Sequence, residues 1–202
     1  MNFTRYTQIN LGIIFAIAII SAIIGFDVCT VTIMKWHGPE MDSFFKFYTQ
    51  LAEWPIIIVA LLLVFRRFRM AGLMLGLVFA VQGLVVQGLK LWINRPRPFI
   101  RFPGEVREIK GLLLSHWNGF PSGHTAAAFF SVGLIILSMH SKYRTIWFQA
   151  ICMTFAYLIG YSRVYLCQHS VEDVLVGALF ASIFFYFAAY YLEKRTKRLS
   201  TF

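Results

Sequence analysis

Charged side chains are scarce in this sequence. Asp, Glu, Lys and Arg make up only 14% of its 202 residues, whereas 58% are hydrophobic. A soluble domain carries about 25% charged residues, because its surface must face water. The shortage of charge therefore excludes an ordinary soluble protein and favours one that crosses a membrane several times.

Cysteine and acidic residues are also few. The three cysteines, Cys29, Cys152 and Cys167, have neither the spacing of metal ligands nor that of a disulfide framework. No group of carboxylates resembles a magnesium or calcium cage, and no structural zinc pattern occurs. We therefore expect a site without metal and a protein without a cofactor.

The sequence also lacks low-complexity linkers and internal repeats, so residues 1–202 are predicted to form one membrane-embedded domain. Its charge-free stretches approach or exceed the roughly 20 residues that cross a hydrocarbon core. They predict an all-α fold, a bundle of six transmembrane helices. The stretches are Tyr6–Phe26, Ala71–Leu89, Gly111–Ser141, Thr145–Ser162, Val174–Leu192 and a sixth from Phe47 to Phe65 that carries Glu53 at the interface.

The formal net charge of +10 does not indicate nucleic acid, because the basic residues cluster between apolar spans. The positive-inside rule instead predicts cytoplasmic N- and C-termini. The expected cytoplasmic cations are Arg5, Arg66, Arg67, Arg69, Lys142, Arg144, Lys194, Arg195, Lys197 and Arg198. The longer connections, 27–46 and 90–120, then lie outside, where function is expected. Aromatic residues beside Lys46 predict an interfacial amphipathic helix over Met41–Leu51. The compact chain suggests a bacterial inner-membrane protein with a periplasmic site.

Three groups of polar residues occur at span ends that this topology places on the same outer side. The first runs from Lys90 to Arg97-Pro98, and the second is Pro121-Ser122-Gly123-His124. The third is Ser162-Arg163, followed by His169 and Asp173. Polar residues at a membrane edge are costly, so such a set predicts a functional site.

The residue types in these groups suit a phosphate. Lys90, Arg97 and Arg163 are cations with no carboxylate in their own motifs, and arginine can hold phosphate oxygens bidentately. Ser122 and Gly123 stand where a helix begins, so their backbone N–H groups can face an anion. The five residues are predicted to form a phosphate-binding cradle.

Two histidines can supply the chemistry. His169 and Asp173 are four residues apart, so on a helical turn the carboxylate can accept the imidazole N–H and leave the other nitrogen free to attack phosphorus. His124 arrives from another helix and can protonate the leaving alcohol oxygen. This combination predicts a phosphohistidine intermediate.

The pattern Lys90 to Arg97-Pro98, Pro121-Ser122-Gly123-His124 and Ser162-Arg163 to His169 and Asp173 resembles the phosphatidic acid phosphatase type 2 superfamily. That superfamily includes bacterial lipid phosphatases and vanadium haloperoxidases. The match spans residues 90–173. The resemblance implies His169 as nucleophile, Asp173 as its orienting partner and His124 as acid. Lys90, Arg97, Ser122, Gly123 and Arg163 would bind phosphate without a metal.

Several alternatives stay open from the sequence. The same site could pass the phosphoryl group to a second lipid, and a scramblase or transporter could use the cations only to bind headgroups. A haloperoxidase is disfavoured because that activity needs a soluble chain and vanadate. The substrate could be undecaprenyl diphosphate, phosphatidylglycerol phosphate, lipid A or phosphatidic acid, and the oligomeric state is open. Four further outer cations could contact a second phosphate or pair with Glu105 and Glu108; they are Arg95, Arg101, Arg107 and Lys110.

Overall fold

A computed structural model describes residues 3–113 and 115–199, without the side chains of residues 3–6 and 195–199. The described residues form helices and no strand, which confirms the all-α prediction. The helices are α1 Phe3–Ile24, α2 Phe26–Lys35, α3 Pro39–Gln50, α4 Trp54–Phe68, α5 Met70–Ile93, α6 Pro98–Arg101, α7 Gly123–Ser138, a 3₁₀ turn Ser141–Tyr143, α8 Ile146–Tyr165 and α9 Val171–Leu199. The predicted cytoplasmic side chains of Arg5, Arg195, Lys197 and Arg198 lie outside the described part.

Four stretches of these helices are long and apolar enough to cross a membrane by length and composition. They are Thr7–Ile24, Pro39–Phe68, Met70–Arg101 and Val171–Lys194. α7 is apolar but shorter, with 16 residues, and α8 has 20. Large apolar side chains such as Ile23, Leu84 and Ile151 point away from the protein, as expected of helices that face lipid. The prediction of membrane helices is confirmed, and the number six stays a prediction.

The segment before α4 differs from the prediction. Residues 27–46 were expected to be an outer connection, with a helix over Met41–Leu51. A helix is present there as α3, whereas α2 was not predicted. The sixth predicted span, Phe47–Phe65, lies within the candidate span Pro39–Phe68, but a turn at residues 51–53 divides it between α3 and α4. Pro55 stands at the start of α4, where its missing N–H costs nothing. Glu53 thereby lies in a turn at the membrane edge.

α7 is the central helix and packs against α4, α8 and α9. Most of its side chains are buried, as expected for a helix that is apolar on all sides. Its first turn approaches α9 very closely, since a Cβ added to Gly177 would lie 2.5 Å from the Ser122 carbonyl oxygen. A hydrogen bond of 2.9 Å from the Ser122 N–H to the Asp173 carbonyl fixes the same contact.

Gly177→Ala should therefore destabilise the protein, because the obstructing atom belongs to the backbone and cannot rotate away. We expect a loss of about 1–3 kcal/mol of unfolding free energy, the usual cost of overpacking. Gly12→Ala is the matched control, since a Cβ there meets nothing within 4 Å. Thermal unfolding in detergent measures both variants. Equal melting temperatures for the two would contradict the close α7–α9 contact.

Candidate active site

The three polar groups predicted from the sequence meet at one end of the helix bundle. Lys90 lies in the last turn of α5, and its Nζ is 3.6 Å from the position of a Cβ built on Gly123. Arg97 Nη1 donates to Gln168 Oε1 at 3.0 Å, next to His169. The structure therefore brings together all the residues that the sequence assigned to the cradle and to proton transfer: Lys90, Arg97, Ser122, Gly123, His124, Arg163, His169 and Asp173.

Three of these residues are cations that form no direct ion pair in the described part of the chain. Within the described ranges, no carboxylate oxygen lies within 4.0 Å of a side-chain nitrogen of Lys90, Arg97 or Arg163. Arg163 is only 7% exposed, donates from Nη1 to Thr49 Oγ1 at 3.1 Å, and leaves Nε without a hydrogen-bond partner among the described residues. Burying a cation without a partner is costly, so this arrangement favours a bound anion.

The other outer cations are arranged differently. Three of the four form ion pairs: Arg95 with Glu172 and Asp173, Arg101 with Asp27 at 2.8 Å and with Glu172 at 3.5 Å, and Arg107 with Asp42 at 2.9 Å. The sequence proposed Glu105 and Glu108 as partners, but Glu105 pairs with Lys35. These three arginines are thus already neutralised by carboxylates from α2, α3 and α9.

His169 is held by a backbone carbonyl. Its Nδ1 lies 2.7 Å from the Gly119 oxygen and 3.7 Å from Asp173 Oδ2, which itself accepts the Ser170 N–H at 2.7 Å. Because the carbonyl can only accept, Nδ1 carries the proton and the lone pair lies on Nε2. The sequence named only Asp173 as the orienting partner. A carbonyl 50 residues away has no signature in the sequence.

The environment of His169 favours the neutral imidazole. Its pKa is lowered from 6.5 to about 3, chiefly by burial and in part by the positive charges of Arg163 and Arg97, against the opposing effect of Asp173. The neutral ring is the form whose Nε2 can attack. His169 is also 1% exposed, so it packs inside the protein and does not stand at an open edge.

His124 has a partner that the sequence analysis missed. Its Nε2 lies 3.0 Å from Glu53 Oε1, in the turn before α4. The sequence placed Glu53 only at the membrane interface. The available signal was that an acidic residue at the end of an apolar span is costly and therefore suggests a function.

The start of α7 offers fewer free donors than predicted. The Ser122 N–H is bonded to the Asp173 carbonyl, so it does not face an anion in this structure. The Ser122 oxygen accepts the Thr125 hydroxyl at 2.9 Å and keeps its own hydrogen for donation. The N–H groups of Gly123 and His124 belong to the first turn, where an α-helix has no internal acceptors. The helix terminus therefore retains donors for an anion beyond Ser122.

A groove of about 720 Å³ leads from this site along α4, α5 and α7. The end of the groove nearest the site, called its upper end, is lined by Glu53, Lys90, Gly123 and His124, and most of the remaining wall is apolar. Such a groove can hold a molecule with a polar head and a hydrocarbon tail.

Comparison with known proteins gives consistent matches. The sequence profile of the PAP2 superfamily matches residues 71–197. A phosphatidylglycerophosphatase B of Bacillus subtilis is 33% identical over 69% of this chain and 66% of that protein, so the chain spans just under two thirds of its length. An undecaprenyl-diphosphatase of Sulfolobus acidocaldarius is 33% identical over 63% of this chain and 58% of that protein. A crystal structure of a transmembrane PAP2-type phosphatidylglycerolphosphate phosphatase from Bacillus subtilis superposes with a TM-score of 0.66 and 26% identity, covering 96% of both chains.

Because Lys90, Arg97 and Arg163 form no ion pair with a described carboxylate, the site is predicted to bind a phosphate-like anion. Orthovanadate should raise the melting temperature of the purified protein, and at ten times its dissociation constant it should add about 1.4 kcal/mol of stability. Arg163→Gln should lose this shift because the buried Nε donor is removed. Arg66→Gln, the same change at an exposed position far from the site, should keep it. An unchanged vanadate shift in Arg163→Gln would contradict the predicted cradle.

Proposed function

Because this chain belongs to the PAP2 superfamily, we propose that it removes the terminal phosphate of a membrane lipid through a phosphohistidine intermediate on His169. One observation carries the proposal: the buried imidazole of His169 lies near Arg97 and Arg163, and among the described residues neither of these arginines nor Lys90 forms an ion pair with a carboxylate. A dianionic phosphate supplies the missing negative charge and meets a nucleophile in the same place.

The proposed reaction has two steps. His169 Nε2 attacks phosphorus in line with the leaving oxygen, so that an N–P bond forms as the P–O bond to the lipid breaks. The Gly119 carbonyl holds the proton on Nδ1, and the cations stabilise the charge on the equatorial oxygens. Water then attacks the phosphohistidine, which releases inorganic phosphate and restores the neutral imidazole.

His124 is proposed to donate a proton to the departing alkoxide. Burial and the positive charge of Arg163 lower the pKa of His124. Glu53, at 3.0 Å from Nε2, orients the ring, and its negative charge opposes that lowering and so favours the protonated imidazole that an acid requires. The two residues line the upper end of the groove, where the leaving part of a lipid would lie. Glu53 is therefore proposed as a positioning residue for His124.

The groove supports a substrate that stays in the bilayer while its head reaches the site. α5 and α7 have their site ends on the same side, so the turns around Arg66–Arg69 and Lys142–Arg144 lie at the opposite end of the bundle. By the positive-inside rule this end is cytoplasmic, and the site faces outward. We propose a bacterial inner-membrane protein with a periplasmic site and with both termini in the cytoplasm.

The ion pairs of Arg95, Arg101 and Arg107 bear on the substrate. A lipid diphosphate carries more negative charge than a monoester, and these three arginines are three of the four cations, with Lys110, that could have bound the second phosphate. Their pairing with Asp27, Asp42 and Glu172 removes that support. A phosphomonoester substrate is accordingly favoured.

His169→Asn should abolish turnover, with a loss of at least about 10³-fold, because it removes the nucleophile. The asparagine amide keeps a donor for the Gly119 carbonyl, so this buried position stays hydrogen-bonded. Wild type incubated with ³²P-labelled lipid phosphate should give an acid-labile adduct that the variant lacks. An adduct on another residue would contradict the assignment, whereas label appearing on an acceptor lipid would identify a phosphotransferase.

His124→Ala should matter most for poor leaving groups, since p-nitrophenolate scarcely needs a proton. We expect a loss of about 10²- to 10⁴-fold on a lipid phosphate and a much smaller loss on p-nitrophenyl phosphate. Glu53→Gln, which keeps the hydrogen bond and loses the charge, should show the same pattern more weakly. Initial rates on the two substrates test this, with melting temperature as the folding control. Equal losses on both would show that His124 only binds phosphate.

A further inference from the structure

The membrane part of the groove contains a buried polar side chain without a partner. Gln82 in α5 is 1% exposed and lines the groove, and its Nε2 has no hydrogen-bond partner among the described residues. The neighbouring groove wall is mainly apolar, for example Ile57, Phe79 and Val86. Leaving an amide donor unpaired in such surroundings costs about 1–3 kcal/mol. The groove therefore favours an occupant with an oxygen acceptor at this depth.

The position of Gln82 sets how far that acceptor lies from the reacting phosphate. Gln82, Val86 and Lys90 are spaced by four residues, so they lie along one face of α5. Eight residues at 1.5 Å per residue separate Gln82 from Lys90 by about 12 Å along the helix axis. Because the two side chains leave the helix with the same tilt, a lipid with its phosphate near Lys90 would place an acceptor oxygen for Gln82 about 12 Å deeper in the membrane.

We propose that Gln82 donates a hydrogen bond to an acyl ester carbonyl of the lipid, which makes it a specificity-determining residue for glycerophospholipids over isoprenoid phosphates. This inference rests on the proposed function. An ester carbonyl accepts hydrogen bonds, whereas the hydrocarbon of an isoprenoid has no acceptor and would leave Nε2 unpaired.

The spacing narrows the class of lipid further. An extended chain advances about 1.27 Å per bond, so 12 Å corresponds to about ten bonds between phosphorus and the carbonyl. In a phosphatidic acid that separation is about five bonds, or about 6 Å, which is too short. A glycerophospholipid whose terminal phosphomonoester is joined to diacylglycerol through a further glycerol and a phosphodiester has the required length.

The test compares two lipids that share this long phosphorylated headgroup, one with ester-linked acyl chains and one with ether-linked alkyl chains that lack the carbonyl oxygens. Wild type should prefer the ester lipid by about fivefold in kcat/KM, the size expected of one hydrogen bond. Gln82→Leu should reduce the ester-to-ether ratio to about one. Gln8→Leu, the same change at an exposed position on α1, should keep the wild-type ratio. With phosphatidic acid and its ether analogue, wild type should show no preference.

The ester-to-ether ratio is taken within each protein, so a general loss of folded enzyme does not alter it. Gln82→Met provides a second variant that also lacks the amide N–H. A wild-type ratio near one would overturn the inference without any variant. An ester-to-ether preference that persists in Gln82→Leu would also overturn the inference, and it would assign Gln82 a packing role or a water ligand. Faster phosphate release from a prenyl phosphate than from the ester lipid would overturn it as well. If the wild-type protein released phosphate from none of the lipids, the proposed function itself would be overturned, and this inference with it.

Discussion

The structure depends on keeping three positive charges together at the edge of a membrane, with no direct ion pair to any of them in the described part of the chain. Lys90, Arg97 and Arg163 would repel one another and lose hydration there, and neutral acceptors compensate only in part. Arg97 bonds to Gln168 and to the Trp117 carbonyl, while Arg163 bonds to the Thr49 hydroxyl. The residual positive charge makes the site a receptor for an anion, and together with burial it lowers the pKa of the nearby His169 imidazole.

A second set of charges holds this arrangement in place. The segment between α5 and α7 is tied to the rest of the protein by Arg95–Glu172, Arg101–Asp27 and Arg107–Asp42. These ion pairs keep the acidic side chains on arginines that surround the site and away from the three cradle cations. The division between paired and unpaired cations is therefore an architectural feature, and it explains how a chain with few carboxylates can stay ordered around an electropositive centre.

The helical fold could be predicted because a membrane leaves the backbone few alternatives, so long apolar stretches form helices. Short segments were predicted less completely. The helix α2 was missed, and the turn at residues 51–53 that separates α3 from α4 was not expected within one apolar span. The depth of His169 was also missed, since a polar motif does not reveal how much of the chain packs over it.

The sequence by itself determined which residue types occur at the ends of the apolar spans. Because consecutive membrane helices run in opposite directions, it also determined that Lys90, Ser122 and His169 could meet on one side. Only the tertiary structure decided the partners within that set. Glu53 reaches His124 across 71 residues, and the Gly119 carbonyl reaches His169 across 50. Such contacts depend on how helices pack and on where a backbone carbonyl points, and neither follows from spacing along the chain.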